Sequence, residues 1–262
     1  MNTSLFPDNI MPPYQTNYAR RGQTIHWNGT DTLQCYEKNM QKSSTRDLLH
    51  KLGWIDSVVE YAYNSHGYRC KEFDNRPCAL ALGCSFTEGT GLHTEQTWPH
   101  LLSSMLDLTV WNLGSGGASI DTVFRILEYY IDRLKPKSIF LLIPPEPRFE
   151  YCDINNGFPI IQISTLGRHE SFAKEWLSQS FNGIYNTKKT MLAMEQICAK
   201  SNVPLFACSS IGALDNNTGT FNWNHGHVDL ARDLMHPGEL YQKYIANVMY
   251  LQHQKNIEVA TS

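Results

Sequence analysis

From residue 77 onward the chain alternates short apolar runs with amphipathic stretches, and this alternation restricts the fold more than any other feature of the sequence. It is the pattern of βαβ units around a mostly parallel sheet. The runs "CALALG" (78–83), "LTVWNLG" (108–114), "SIFLLI" (138–143) and "VPLFACS" (203–209) read as the strands. Between them, Ile120, Val123, Phe124, Leu127, Ile131 and Leu134 recur at i, i+3, i+4 spacing on one helical face, with Ser119 as N-cap and Pro136 just past the end. Thr97 is placed to cap a second helix carrying Trp98, Leu101, Leu102, Met105 and Leu106, since Pro99 is tolerated only in a first turn. Residues 184–201 and 238–253 supply two more. Ligands of such open sheets sit beyond the carboxyl ends of the strands, so the strand-end loops are where a site is sought.

Residues 1–76 have a different texture, rich in Asn, Thr, Tyr and Gln, with segments such as "HWNGTDTLQ" and "YAYNSHGYR". They read as an extension with irregular β structure that packs on a core domain of residues 77–255 and borders its site through Tyr63, His66 or Tyr68. Residues 256–262 read as a tail. No apolar run approaches the roughly 18 residues that span a bilayer, and the N-terminus lacks the basic start and apolar core of a secretory signal. The expected location is cytoplasmic by default. Seven cysteines, odd in number and irregularly spaced, fit reduced thiols better than a disulfide framework. A net charge of −3 with dispersed Lys and Arg offers no polybasic footprint, which argues against nucleic acid and anionic membrane as partners. Oligomeric state is not indicated.

Two loops carry chemistry-bearing residues. In "LALGCSFTEGTG" (80–91), Ser85 follows the first strand at a turn able to present a hydroxyl above the sheet, although a serine there also serves as a turn former or helix cap. In "ARDLMHPGELYQ" (231–242), Asp233 and His236 stand three residues apart. One helical turn at that spacing lets the carboxylate hold the imidazole while the other ring nitrogen faces a serine. A capping Asp beside a surface His accounts for the same spacing.

The order of the blocks narrows the choice. "GCSFTEG" after the first strand, "NLGSGG" after the second and "RDLMHPG" before the final helix together resemble the SGNH/GDSL hydrolase family over roughly residues 77–252. "NSHGYRCKEF" (64–73) resembles the lead-in of some members. The resemblance implies a three-layer α/β/α sandwich of flavodoxin-like type, with Ser85 as nucleophile and Asp233 and His236 completing a triad. It further implies that the N–H groups of Ser85 and Gly117 receive an oxyanion. Two departures stand out. Cys84 occupies the place where the family often has Asp, and the third strand runs into "LLIPPEPRFEY" without the Asn that usually completes the oxyanion site. Arg148, beside Glu146, is a candidate oxyanion or substrate donor, the alternative being a surface Glu/Arg pair. Asn112 is a further candidate, the alternative being that it satisfies backbone groups.

His225, His227 and Asp229 in "HGHVD" look like the start of a metal motif, but the next position is Leu230 and too little chain follows for the remaining ligands, so no metal is expected. Phe221 and Trp223 either stack on substrate beside His236 or pack in the core. "GSGG" lacks the Lys-Ser/Thr of a phosphate loop. The expectation is a cofactor-free serine esterase of small acyl esters, with O-acetyl groups of a carbohydrate as one substrate class. The alternatives are an O-acyltransferase using the same triad and a non-catalytic carbohydrate-binding or structural protein on this fold.

Overall fold

The apolar runs build a four-stranded parallel sheet in which residues 109–112, 78–82, 138–143 and 205–209 lie side by side in that order, in a computed structural model that describes residues 15–153, 158–163, 171–210 and 229–261. In chain order the elements begin with helix α1 (Gln15–Tyr18), strand β1 (Thr24–Ile25), helices α2 (Leu33–Gln41) and α3 (Ser43–Lys51) and strand β2 (Tyr61–Ala62). The core continues with β3 (Cys78–Leu82), α4 (Ser85–Glu88), α5 (Trp98–Leu106), β4 (Thr109–Asn112), α6 (Ile120–Leu134) and β5 (Ser138–Ile143). It closes with a hairpin of β6 (Phe149–Asp153) and β7 (Phe158–Ile163), then α7 (Ser171–Ser178), α8 (Ser180–Lys200), β8 (Leu205–Ser209) and α9 (Glu239–Thr261).

Every residue of β3 is buried, as expected of a central strand covered on both faces. Helices α5 and α9 pack together over one face, and α6 and α8 over the other. The third strand pairs with β3 on the side opposite β4, so the chain leaves β3 toward one helical layer and β5 toward the other. Their carboxyl ends therefore open a crevice at the point where the strand order reverses.

The helix signals act largely as read. Ser119 accepts the Thr122 N–H at 3.2 Å to cap α6, and Lys135 ends it in the left-handed region at φ 45° just before Pro136. Buried Ile120, Val123, Ile126, Leu127 and Ile131 line its inner face, each contributing about 1.5–3 kcal/mol through apolar burial. Thr97 stands at the N-cap of α5, but its hydroxyl donates to the Thr94 carbonyl at 2.7 Å, and the Trp98 N–H is taken instead by Gln242 Oε1 of α9 at 2.8 Å.

The extension holds some irregular β structure, as expected, and two helices besides. Its strands are two residues each, paired Thr24 to Ala62 and Ile25 to Tyr61, and most of its ordered backbone is in α2 and α3. Thr32 caps α2 by accepting the Cys35 N–H at 3.0 Å. That helix buries no residue and α3 buries only Leu49, so neither presents an apolar face long enough to read as a period. The cluster of Leu49, Trp54, Val59, Tyr61 and Tyr63 is completed by Leu92 and Ala231 of the core domain. Two further differences concern the chain after β5, where the β6–β7 hairpin appears without a strand having been read there, and α9, which continues through the expected tail to Thr261.

Candidate active site

Beyond the carboxyl ends of the strands lies a cavity of about 180 Å³. Ser85, Glu88, Thr90, Gly116, Gly117, Arg148 and His236 come to it from the core domain, and Arg20, Asn28, Gly29 and Thr30 from the extension.

Ser85 opens helix α4 three residues after Leu82, a tight turn that leaves no room for a side chain at Gly83. A Cβ there would stand 2.8 Å from the Leu142 carbonyl, and φ is +155°. The second loop approaches equally closely, since a Cβ at Gly114 would overlap the backbone at Thr87 and Glu88. Asn112 holds this junction. Its Nδ2 donates to the Thr87 carbonyl at 2.8 Å and its Oδ1 accepts the Gly114 N–H at 2.9 Å. Both ends of the amide thus bond to backbone, which is the second of the two readings that the sequence left open for Asn112.

Asp233 and His236 meet on a turn rather than on a helix. The Ala231 N–H donates to the His236 carbonyl at 2.9 Å, and Leu234 takes a left-handed φ of 55°, a conformation costing a residue of its kind about 1–2 kcal/mol. The result still brings the imidazole back over its carboxylate. Asp233 Oδ2 lies 2.6 Å from His236 Nδ1, while Oδ1 accepts the N–H groups of Met235 at 3.0 Å and of His236 at 2.9 Å. The other ring nitrogen, His236 Nε2, is 2.8 Å from Ser85 Oγ. Phe86 meets the imidazole edge-on, with centroids 5.4 Å apart.

The Asp233 side chain is fully buried, and desolvation alone would push its carboxyl up. The hydrogen bond and charge of His236, the Thr30 hydroxyl and the His236 N–H outweigh that effect and hold it below the usual aspartate range. The Thr30 Oγ1 donates to Asp233 Oδ2 at 2.5 Å and lies 3.3 Å from His236 Nδ1. A residue of the extension therefore braces the acid of this chain.

Arg148 reaches the cavity from the loop after β5, its Nη1 donating to the Ala118 carbonyl at 3.3 Å. Its Nε is buried without a partner among the described residues. Gly117 takes a φ of +75° in a turn that lines the same cavity as Ser85. Of the residues expected to border the site, Tyr63 does so through Glu88, donating its hydroxyl to Oε1 at 2.7 Å. His66 and Tyr68 instead pack with Phe73 and Tyr130. His225, His227, Phe221 and Trp223 fall outside the described residues, and Asp229 accepts the Leu240 N–H at 2.8 Å at the start of α9.

Sequence reading overlooked four contributors, namely Thr30, Asn28, Glu88 and Arg232. Glu88 had a signal, because it lies three residues after Ser85 at the start of a helix and so shares its side. Arg232 is next to Asp233 and pairs with Asp31, its Nε 3.0 Å from Oδ1 and its Nη2 2.7 Å from Oδ2. It also donates to the carbonyls of Ser57 and His26. Nothing local marks Arg232, Thr30 or Asn28, since their partners lie far away in the chain.

No family model matches the sequence, and no curated protein matches it. Among solved structures it is similar to a psychrotrophic esterase, EstA, from Pseudoalteromonas sp., at 18% identity and a TM-score of 0.37, covering 71% of this chain and 100% of that one. It is also similar to an SGNH-hydrolase family esterase at 15% identity and a TM-score of 0.32, covering 70% of this chain and 80% of that one. A family two carbohydrate esterase from Cellvibrio japonicus gives 13% identity and a TM-score of 0.36, covering 76% of this chain and 70% of that one. The chain's own architecture is a four-stranded parallel sheet between helical layers, a three-layer α/β/α arrangement with a cavity beyond the strand ends.

Proposed function

We propose that this protein is a serine hydrolase of small acyl esters, with Ser85 as nucleophile, His236 as general base and acid, and Asp233 as the group that orients the imidazole. The observation that carries this reading is the unbroken chain from Ser85 Oγ to His236 Nε2 at 2.8 Å and from His236 Nδ1 to Asp233 Oδ2 at 2.6 Å. A serine hydroxyl is a weak nucleophile until a base takes its proton in the act of attack.

His236 Nε2 takes that proton as Ser85 Oγ bonds to the acyl carbon. The ring, now positive, is stabilised by the Asp233 carboxylate and then returns the proton to the departing alkoxide, leaving an acyl-enzyme. Water repeats the sequence, giving up its proton to His236 and releasing the acid with Ser85 restored. The oxyanion formed at each attack needs fixed donors. The Ser85 N–H, being the first of α4, has no intrahelical acceptor, and with the Gly117 N–H it supplies two. The Arg148 guanidinium, which lines the same cavity, supplies a third in place of the Asn missing after the third strand. Loss of one such donor typically lowers the rate about 100- to 1000-fold.

The volume of about 180 Å³ favours a short acyl group, because pockets for larger ligands run from about 300 Å³ upward. Incubation with p-nitrophenyl acetate tests the proposal. Steady release of p-nitrophenol by the wild type, and none above background by Ser85→Ala, is the expected result. Equal rates for the two proteins would refute it.

A further inference from the structure

Helix α4 carries Ser85 at its start and Glu88 one turn later, and Glu88 is 1% exposed. Its Oε1 accepts Asn28 Nδ2 at 2.9 Å and the Tyr63 hydroxyl at 2.7 Å, and lies 3.9 Å from Arg20 Nη1. Burial and the adjacent Glu88 push the Tyr63 phenol well up, so it stays protonated as a donor. Oε2 is enclosed and has no partner among the described residues, with Gly116 so near that a Cβ there would stand 2.8 Å away. No ligand in the cavity reaches that oxygen. Glu88 therefore acts on the protein itself.

Stability does not account for a carboxylate at this depth. A buried ion pair replaced by apolar residues of similar volume is often neutral or stabilising, and an enclosed acceptor without a donor is itself a cost. What the carboxylate adds is direction. Its partner Asn28 exchanges two backbone bonds with Asp31, at 2.8 Å and 3.0 Å, closing a turn that has Gly29 and Thr30 at its tip. The Asp31 end of this turn is fixed by Arg232, the neighbour of Asp233. The Asn28 end is fixed by Glu88, one helical turn from Ser85. Thr30 is held between these two anchors, its Oγ1 donating to Asp233 Oδ2 and lying 3.3 Å from His236 Nδ1.

We propose that Glu88 is a positioning residue for the triad. By fixing Asn28, it ties the helix of the nucleophile to the turn whose Thr30 braces the acid, and so sets how Ser85, His236 and Asp233 stand to one another. The inference rests on the hydrolase reading above and adds to it a residue that touches neither the substrate nor the reacting atoms.

The test is a mutant cycle on kcat for p-nitrophenyl acetate, expressed per folded enzyme with the folded fraction taken from near-UV circular dichroism. Glu88→Met removes the acceptor and should lower kcat about 10-fold with KM within about twofold of wild type, the size expected for losing one hydrogen bond to a charged group. Glu88→Gln keeps an oxygen for Asn28 and Tyr63 and should stay within about threefold of wild type. Combined with Thr30→Val, Glu88→Met should lose about 10-fold in all instead of about 100-fold, because a residue acting through Thr30 has nothing left to move once that hydroxyl is gone. Asn28→Ala cuts the same link from the other side and should match Glu88→Met, which keeps the test decisive if Glu88→Met does not fold. A normal kcat in either variant, losses that add to that of Thr30→Val, or a loss that Glu88→Gln shares in full would overturn the proposal. If wild type turns over no ester, the hydrolase reading fails, and positioning is read instead from the low-field NMR resonance of the proton between His236 Nδ1 and Asp233, assigned by its absence in His236→Ala. An equal shift of that resonance in Glu88→Met and Thr30→Val supports the proposal, and an unmoved resonance in Glu88→Met overturns it.

Discussion

The parallel sheet is held by apolar packing, and the N-terminal extension by apolar packing together with a buried polar network. In the sheet, Ala79 to Leu82 on β3 and Ile139 to Leu142 on β5 are fully buried and apolar, and their contribution is non-directional. The extension shares an apolar cluster with Leu92 and Ala231 and adds to it buried charge and hydrogen bonds that reach the core. Arg232 is bonded to Asp31, and Tyr61 donates to the same carboxylate at 2.6 Å. Arg69 donates to the carbonyls of Glu60, Glu88, Gly89 and Leu92. Directional contacts of this kind fix where a segment stands, which apolar packing does less sharply. Their effect is to hold Thr30 against Asp233 and Asn28 against Glu88, so the segment outside the sheet helps to shape the site.

The comparison can be broken at several points. The largest effects belong to the core half. Ser85→Ala and His236→Ala should each lower kcat on p-nitrophenyl acetate on the order of 10⁴-fold or more, and the double variant should lose little beyond either, because the two act as one unit. Additive losses would show that they act separately.

Next comes the buried pair. Asp31→Ala leaves Arg232 charged and unpaired, and removal of one partner of a buried pair destabilises by about 3–5 kcal/mol. Leu80→Ala in the sheet should destabilise by a similar amount, about 2–5 kcal/mol. Thermal melts should therefore look alike, while activity separates them. The folded fraction of Leu80→Ala should keep near wild-type kcat, and that of Asp31→Ala should lose it as Thr30 moves. Matching activities would mean that the extension is structural only.

Thr30→Val removes the hydroxyl that braces Asp233 with little change in volume. It should reduce kcat about 10-fold with KM unchanged, the size expected for one hydrogen bond to a charged group. A change in KM alone would assign Thr30 to substrate contact.

How much of this was legible in the sequence follows the same division. The strands and α6 were readable because a buried parallel strand and an amphipathic helix each leave a local period, and Ser119 and Pro136 mark the ends of that helix. Ser85, Asp233 and His236 could be singled out from short motifs in a fixed order, although the turn joining the last two is not helical. Thr30, Asn28 and Arg232 could not. Their partners lie 203, 60 and 201 residues away, and a polar residue with a distant partner looks like any solvated one. Asn112 was ambiguous for a related reason, since an amide that ties backbone and one that donates to a ligand have the same sequence signature.

A smaller effect concerns pH. Because the folded-state carboxyl of Asp233 is held below its unfolded value, its contribution to stability is present above the ordinary aspartate pKa of about 3.9 and is lost as pH falls through the lower folded value. Asp233→Asn should thus flatten the acid limb of the stability profile below about pH 4, measured by urea midpoints. An unchanged limb would assign the acid sensitivity to other carboxylates.

The central claim, that His236 activates Ser85 for covalent attack, is tested most directly by a fluorophosphonate probe read by intact and peptide mass spectrometry. The probe requires an activated hydroxyl and little of the natural substrate's binding surface. One adduct per chain on Ser85, suppressed as strongly by His236→Ala as by Ser85→Ala, is the predicted result. Well-folded wild-type protein left unlabelled across about pH 6 to 9, or labelling that persists in Ser85→Ala, would contradict the account.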